Sequence, residues 1–108
     1  MNMNRFARSL MAREKSPEEY LMFIADVVER QLQEWGETYE VFVMKMHTYE
    51  LIVKRGDERY YHVYLSEEEI YHLQQKEPYE LDRFIWKELK KQGLPIIRGG
   101  GNYIDYVI

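Results

Sequence analysis

The chain has 108 residues, with 15 basic and 19 acidic side chains, no cysteine, and 45% hydrophobic residues. This length supports one hydrophobic core and excludes a multidomain enzyme, while the lack of cysteine excludes disulfides, thiolate nucleophiles and cysteine-ligated metal sites. No apolar run reaches the roughly 18 residues that span a bilayer, and no apolar stretch typical of a secretion signal opens the sequence. We therefore expect a single-domain cytoplasmic protein.

Charge is unevenly distributed along the sequence. Residues 1–15 have a net charge of +3, which leaves −7 for residues 16–108. We predict that residues 1–15 form a basic flexible tail, although Met3, Phe6 and Leu10 stand at helical spacing. Because the remainder is acidic, most of its surface should repel phosphate backbones.

The first structured element is predicted to be an amphipathic helix over residues 17–35. Ser16, Pro17 and Glu19 match a capping box with proline at the first helical position. Apolar residues then recur every three or four positions, which is the spacing of one buried helix face. We expect Gly36 to end the helix in a left-handed conformation.

Residues 38–65 are rich in β-branched and aromatic residues and predict a three-stranded antiparallel meander. Two-residue turns at His47-Thr48 and Gly56-Asp57 fix the expected register. One face is then predicted to be core and contains Phe42, Met44, Met46, Tyr49, Leu51, Val53, Tyr60, His62 and Tyr64. The second face mixes charges with five apolar residues that we predict to bind a partner: Val41, Val43, Ile52, Tyr61 and Val63.

Two further helices are predicted after the meander. Ser66 and Glu69 form a second capping box that begins a short helix, which Pro78 interrupts. A longer helix over residues 79–92 has its own apolar stripe and is expected to end at Gly93.

The last residues predict a terminal strand. Leu94–Arg98 and Asn102–Ile108 are separated by three glycines, and the second piece is mostly apolar. We expect it to add a strand to the sheet or to dock in a partner. The predicted fold is therefore α+β, with a helix, an antiparallel meander, two helices and a C-terminal strand in one domain spanning residues 16–108.

Several side chains of the helix at 79–92 lie off its apolar stripe. We predict that they form a second partner-binding surface, which contains Tyr79, Arg83, Trp86, Lys87 and Lys90. A tryptophan among cations suits a protein partner or stacked bases. The other interpretation is that Trp86 packs beneath a neighbouring segment.

The sequence offers no catalytic, cofactor-binding or metal-binding constellation. No two histidines among His47, His62 and His72 have the three- or four-residue spacing that places two imidazoles on one helix face. Arg98–Asn102 exposes backbone N–H groups to an anion in principle, but no helix follows at the spacing of a phosphate loop. We interpret the glycines as a mobile connection.

Two functions are compatible with these patterns. The order of helix, three strands and helix is similar to that of double-stranded-RNA-binding domains, which implies nucleic-acid binding, although their lysine-rich helix start is replaced here by Ser66–Glu69. We predict a non-catalytic protein-interaction module, a homodimer that associates through the second sheet face or the C-terminal strand. The alternative is a nucleic-acid-binding accessory protein that uses the basic tail and the face formed by Arg83, Trp86, Lys87 and Lys90.

Overall fold

The structure, a computed structural model, describes residues 5–100 and 102–108. Residues 1–4 of the predicted tail and Gly101 of the glycine triplet lie outside the described residues. The elements are α1 (Arg5–Glu14), α2 (Pro17–Trp35), β1 (Tyr39–Lys45), β2 (Tyr49–Arg55), β3 (Arg59–Leu65), α3 (Glu67–Lys76), α4 (Glu80–Lys91) and α5 (Tyr103–Val107). The α+β class is confirmed. Along these described ranges, no helix combines the length and apolar character needed to cross a membrane.

Two capping boxes begin α2 and α3, as predicted. The Glu19 amide donates to Ser16 Oγ at 3.2 Å, and the Ser16 amide donates to Glu19 Oε1 at 2.9 Å. Ser66 and Glu69 repeat this arrangement at 3.1 and 2.9 Å. At the other end of α2, Gly36 has an extended backbone, with φ at −169°, so the left-handed cap predicted there is wrong.

The sheet has the predicted strand order β1-β2-β3, but its register differs by one residue in both hairpins. Lys45 pairs with Tyr49 and Arg55 with Arg59, so each loop contains three residues and not two. Side chains alternate along a strand, and a one-residue shift therefore exchanges the faces of β1 and β3 relative to β2. The residues wrongly assigned to the core are Phe42, Met44, Met46, Tyr60, His62 and Tyr64.

Helices cover one face of the sheet, where α2 packs on β1 and α4 packs on β3. The core between these layers includes Leu21, Ile24, Val28, Leu32, Leu51, Val53, Val63, Leu81, Ile85 and Leu89. Burying each such side chain contributes about 1.5–3 kcal/mol relative to leaving it exposed. Within the described part of the chain, no helix packs on the opposite face of the sheet, which leaves that face as surface.

Helix α1 replaces the flexible tail over Arg5–Glu14. Its buried residues are Arg8 and Ala12. Arg8 reaches Asp82 of α4, which lies 74 positions later in the sequence. A charge can face a protein core only when it is paired, and this pairing accounts for the burial of the arginine.

The predicted C-terminal strand is wrong. Residues 94–98 form no strand in the described sheet, and Tyr103–Val107 form the short helix α5. Tyr103, Ile104 and Val107 are buried against the rest of the chain. Apolar residues at these positions recur at helical spacing, so the same pattern fits a helix as well as a strand.

Candidate protein-binding face of the sheet

The side of the sheet away from the helices is surface-exposed and largely apolar. We call it the open face, and its outward residues are Glu40, Phe42, Met44, Glu50, Ile52, Lys54, Tyr60, His62 and Tyr64. Phe42 and Met44 are each 46% exposed, Tyr60 is 52% exposed and Tyr64 is 61% exposed. Aromatic residues and methionine are enriched in the buried parts of protein interfaces. A patch of this composition is typical of a binding surface.

Strand pairing arranges the open face in three rows. Across β1, β2 and β3, the rows are Met44, Glu50 and Tyr64, then Phe42, Ile52 and His62, then Glu40, Lys54 and Tyr60. Ile52 is therefore the central residue. Along β2, Glu50 lies on one side of Ile52 and Lys54 lies on the other.

Each of the two β2 charges has a neighbour within the chain. Nδ1 of His62 lies 2.5 Å from Oε2 of Glu50, and a hydrogen bond to Glu50 raises the pKa of Tyr64. Nζ of Lys54 lies 3.8 Å from a carboxylate oxygen of Asp57. The Glu50 and Lys54 side chains are 23% and 28% exposed, so both are partly accessible on the open face.

Side chains from α2 and from the residue that follows α4 occupy hydrogen-bonding groups at both outer edges of the sheet. On β1, Glu29 accepts from the Val41 amide at 2.9 Å, and Gln33 donates to the carbonyl two residues earlier at 3.1 Å. On β3, Gln92 accepts from the His62 amide at 3.0 Å and donates to the His62 carbonyl at 2.6 Å. Groups engaged in this way are unavailable to an added strand. The sheet therefore offers its open face more readily than its edges.

Of the five residues predicted to form a partner-binding sheet face, Ile52 is the one that lies on the open face. Tyr61 and Val63 are buried, with exposures of 2% and 1%. Val41 and Val43 are partly buried against the same core. The three-residue hairpin loops turn these four side chains toward the helices, so the surface predicted from them is wrong, and the exposed face consists mainly of residues predicted to be core.

Two residues of the predicted α4 surface belong to the interior. Trp86 is 0% exposed and Tyr79 is 1% exposed. The Trp86 ring lies 5.7 Å from the Trp35 ring, measured between centroids, and the Tyr79 ring meets the Tyr106 ring edge-on at 4.9 Å. Stacking of Trp86 on bases is therefore excluded in this fold, and the packed interpretation of Trp86 is confirmed.

The remaining three residues of that surface are cations. Arg83 is hydrogen-bonded to Glu77 and, at 3.2 Å, to Glu80. Burial lowers the pKa of Arg83, but these two carboxylates raise it overall. Lys87 and Lys90 are exposed. With its aromatic residues buried and its arginine paired, this surface retains two exposed lysines.

A buried polar network joins α1, α4 and α5. Arg8 donates to both carboxylate oxygens of Asp82, at 2.7 and 2.9 Å, and to the Pro78 carbonyl at 3.0 Å. Tyr103 donates to Asp82 and accepts from Nε1 of Trp86 at 3.1 Å. Burial, together with the negative charge of Asp82, raises the pKa of Tyr103 well above its usual value. Because Asp82 is 0% exposed, the network faces no solvent and serves to hold the helices together.

The glycine-rich segment, predicted to be a mobile connection, is engaged by a carboxylate of the chain itself. Gly99, whose φ is +102°, donates its N–H to Oδ1 of Asp105 at 2.7 Å. Nε of Arg98 lies 4.0 Å from the same oxygen. The Asp105 carboxylate of α5 thus takes the position that an external anion would need.

In residues 5–100 and 102–108, no group of three or more histidine, aspartate or glutamate side chains is arranged to hold a metal ion. The chain shows no significant match to any protein-family model, curated protein or solved structure.

Proposed function

We propose that the protein is a non-catalytic interaction module that acts in the cytoplasm without a cofactor and associates with a second copy of itself through the open face. The observation that carries this proposal is the cluster of exposed apolar side chains around Ile52, on a face that no helix of the described residues covers. Removing apolar surface from water is worth roughly 25 cal/mol per Å². Two sheets that stack through such faces form a sandwich, in which both apolar layers are buried.

Charge favours a protein partner over nucleic acid. The chain has a net charge of −4, and the open face has two glutamates, Glu40 and Glu50, for one lysine, Lys54. Nucleic-acid affinity depends on lysines and arginines that neutralise phosphates. On the alternative surface of α4, Trp86 is buried and Arg83 is paired with acids, which leaves the nucleic-acid function without a suitable face there.

The face is also favoured over the other routes to association. The predicted C-terminal strand, which would add to the sheet or dock in a partner, is instead the helix Tyr103–Val107, packed in the chain's own core. Side chains of Glu29 and Gln92 engage backbone groups at the two sheet edges. Association through the open face requires none of these contacts to be broken.

Sedimentation velocity over a range of about 10 µM to about 1 mM tests this function directly. Matched pairs of variants compare residues of similar exposure. Tyr64→Ser removes a tyrosine that is 61% exposed on the open face, and Tyr71→Ser removes one that is 57% exposed on α3. Met44→Ser and Met22→Ser, at 46% and 52% exposure, form the second pair, with Met22 on α2.

We expect the wild type to sediment faster as its concentration rises. Tyr64→Ser and Met44→Ser should weaken association at least about fivefold, because each substitution removes apolar area from both copies of the dimer at once, which costs about 1 kcal/mol in total. Tyr71→Ser and Met22→Ser should behave as the wild type does. A protein that stays monomeric throughout, or four variants with equal effects, would contradict the proposal.

A further inference from the structure

We infer that two copies stack through their open faces about a two-fold axis that passes over Ile52 of β2 and runs across the strands, so that Glu50 of each copy faces Lys54 of the other. This inference rests on the proposed function and adds a specific geometry to it. It identifies the partner as a second copy of this chain in one orientation.

The outward side chains of β2 are arranged symmetrically by charge. Glu50, Ile52 and Lys54 all point to the open face, with the apolar residue between the two charges. At about 3.3 Å per residue, each charged residue lies roughly 7 Å from Ile52 along the strand. The charges are therefore of opposite sign and are placed symmetrically about the centre of the face.

Two stacking directions place β2 on β2 with two-fold symmetry. An axis across the strands reverses the strand direction. Glu50 of each copy then lies opposite Lys54 of the other, and the two Ile52 side chains lie opposite each other. An axis along the strands keeps the direction and sets like charges opposite each other. Like charges in an interface are unfavourable, so charge complementarity selects the axis across the strands.

The aromatic residues fit the same axis. Rotation about it brings Phe42 onto the partner's Phe42 and Tyr64 onto the partner's Tyr60, because the outer rows of the face exchange. Stacked sheets lie about 10 Å apart and cross at about 30°, which is a distance that side chains from both sides can fill. The arrangement therefore buries the aromatic residues and pairs Glu50 with Lys54, while Met44 lies opposite the partner's Glu40.

The dimensions of the face predict a weak dimer. Three strands about 4.8 Å apart, over the five-residue span from Glu40 to Met44, give a planar area of roughly 250 Å². A standard stable interface buries about 800 Å² on each partner. We therefore expect a weak, transient dimer that dissociates within the tested range of about 10 µM to about 1 mM.

Charge reversal tests the orientation by sedimentation velocity. Glu50→Lys sets the introduced lysine against Lys54 at both symmetry-related contacts, and Lys54→Glu creates the equivalent acidic clash with Glu50. Each variant alone should self-associate at least about tenfold more weakly than the wild type. An equimolar mixture of the two variants restores opposite charges at both contacts, as does the double variant Glu50→Lys/Lys54→Glu, and both should regain association near the wild-type level.

Two controls distinguish loss of charge pairing from a change in net charge or in folding. Glu50→Lys reduces the net negative charge, −4 in the wild type, by two units, and this change alone would strengthen a non-specific association. Glu34→Lys on α2 makes the same change in charge on an exposed residue outside the sheet and should leave the dimer intact. Recovery in the mixture also shows that both variants are folded.

The outcomes distinguish the geometry from the function. If the wild type self-associates but the single variants associate as strongly as it does, or if the double variant stays weak, this orientation is wrong while the proposed function stands. If the wild type is monomeric at about 1 mM, both this orientation and the proposed function are wrong.

Discussion

Substitution of Arg8 with methionine should destabilise the fold strongly, because it leaves the Asp82 carboxylate buried without its cation. Asp82 is 0% exposed and receives two hydrogen bonds from the guanidinium, at 2.7 and 2.9 Å. The same guanidinium lies 4.5 Å from the centre of the Tyr79 ring and 5.2 Å from that of Phe23. All of these contacts end when the side chain becomes apolar.

The magnitude follows from the loss of one partner of a buried ion pair, which costs about 3–5 kcal/mol. The lost cation–π contacts add about 1 kcal/mol. A domain of this size is stable by only about 5–15 kcal/mol, so Arg8→Met should remove roughly a third or more of the free energy of unfolding.

Urea denaturation of a double-mutant cycle measures this effect. Asp82→Leu should also destabilise the fold, whereas Arg8→Met/Asp82→Leu should be more stable than Arg8→Met, because replacing both charges with apolar groups is often neutral. We expect a coupling energy of at least about 2 kcal/mol. Arg8→Met within about 1 kcal/mol of the wild type, or strictly additive single effects, would refute the role given to this pair.

Two further predictions concern stability. Burial raises the pKa of Tyr20 to about 12. The stabilisation that the neutral phenol gives to the folded state is therefore complete below about pH 10 and is lost as the pH rises toward 12. Tyr20→Phe should therefore reduce the decline of unfolding free energy above about pH 10 by about 1.4 kcal/mol per pH unit, measured by urea denaturation, and an unchanged slope would contradict this. Gln92→Ala should cost about 1 kcal/mol, because it removes both hydrogen bonds to the His62 backbone, and the exposed Gln75→Ala is its control; equal unfolding free energies for the two variants would contradict this.

Interactions within a few residues made the starts of α2 and α3 predictable. The hydroxyl of Ser16 and the carboxylate of Glu19 are three positions apart, and Ser66 and Glu69 repeat this spacing. Such a contact depends on the local chain alone. The predicted helix over residues 17–35 is confirmed at both ends, although its C-terminal cap has a different backbone conformation from the one predicted.

The faces of the sheet could not be predicted because both are apolar. Val41, Phe42, Val43 and Met44 follow one another in β1, so alternation does not show which pair faces the core. Which side chains face the core therefore depends on the length of the hairpin loops, because loops of two and of three residues turn opposite sets of side chains toward the core. The apolar character that obscured the register is the same property that makes the open face a candidate interface.

Which residues of α4 and α5 are buried depends on contacts between segments that are distant in sequence. The apolar stripe predicted for the helix at 79–92 consists of Leu81, Phe84, Ile85 and Leu89. It faces the core, with Phe84 partly buried, but Asp82 and Trp86 are buried as well. They are covered by α1 and α5 through hydrogen bonds that span 74 and 17 positions. No pattern within one helix shows that a second side will be covered by segments so far along the chain.

Methyl NMR spectra recorded during dilution locate the self-association surface residue by residue. We expect the methyl signals of Met44 and Ile52, on the open face, to shift as the concentration rises through the range of association. The signal of Met22, which is 52% exposed on α2, should stay constant. Constant signals from Met44 and Ile52, or concentration-dependent shifts at Met22 alone, would contradict association through the open face.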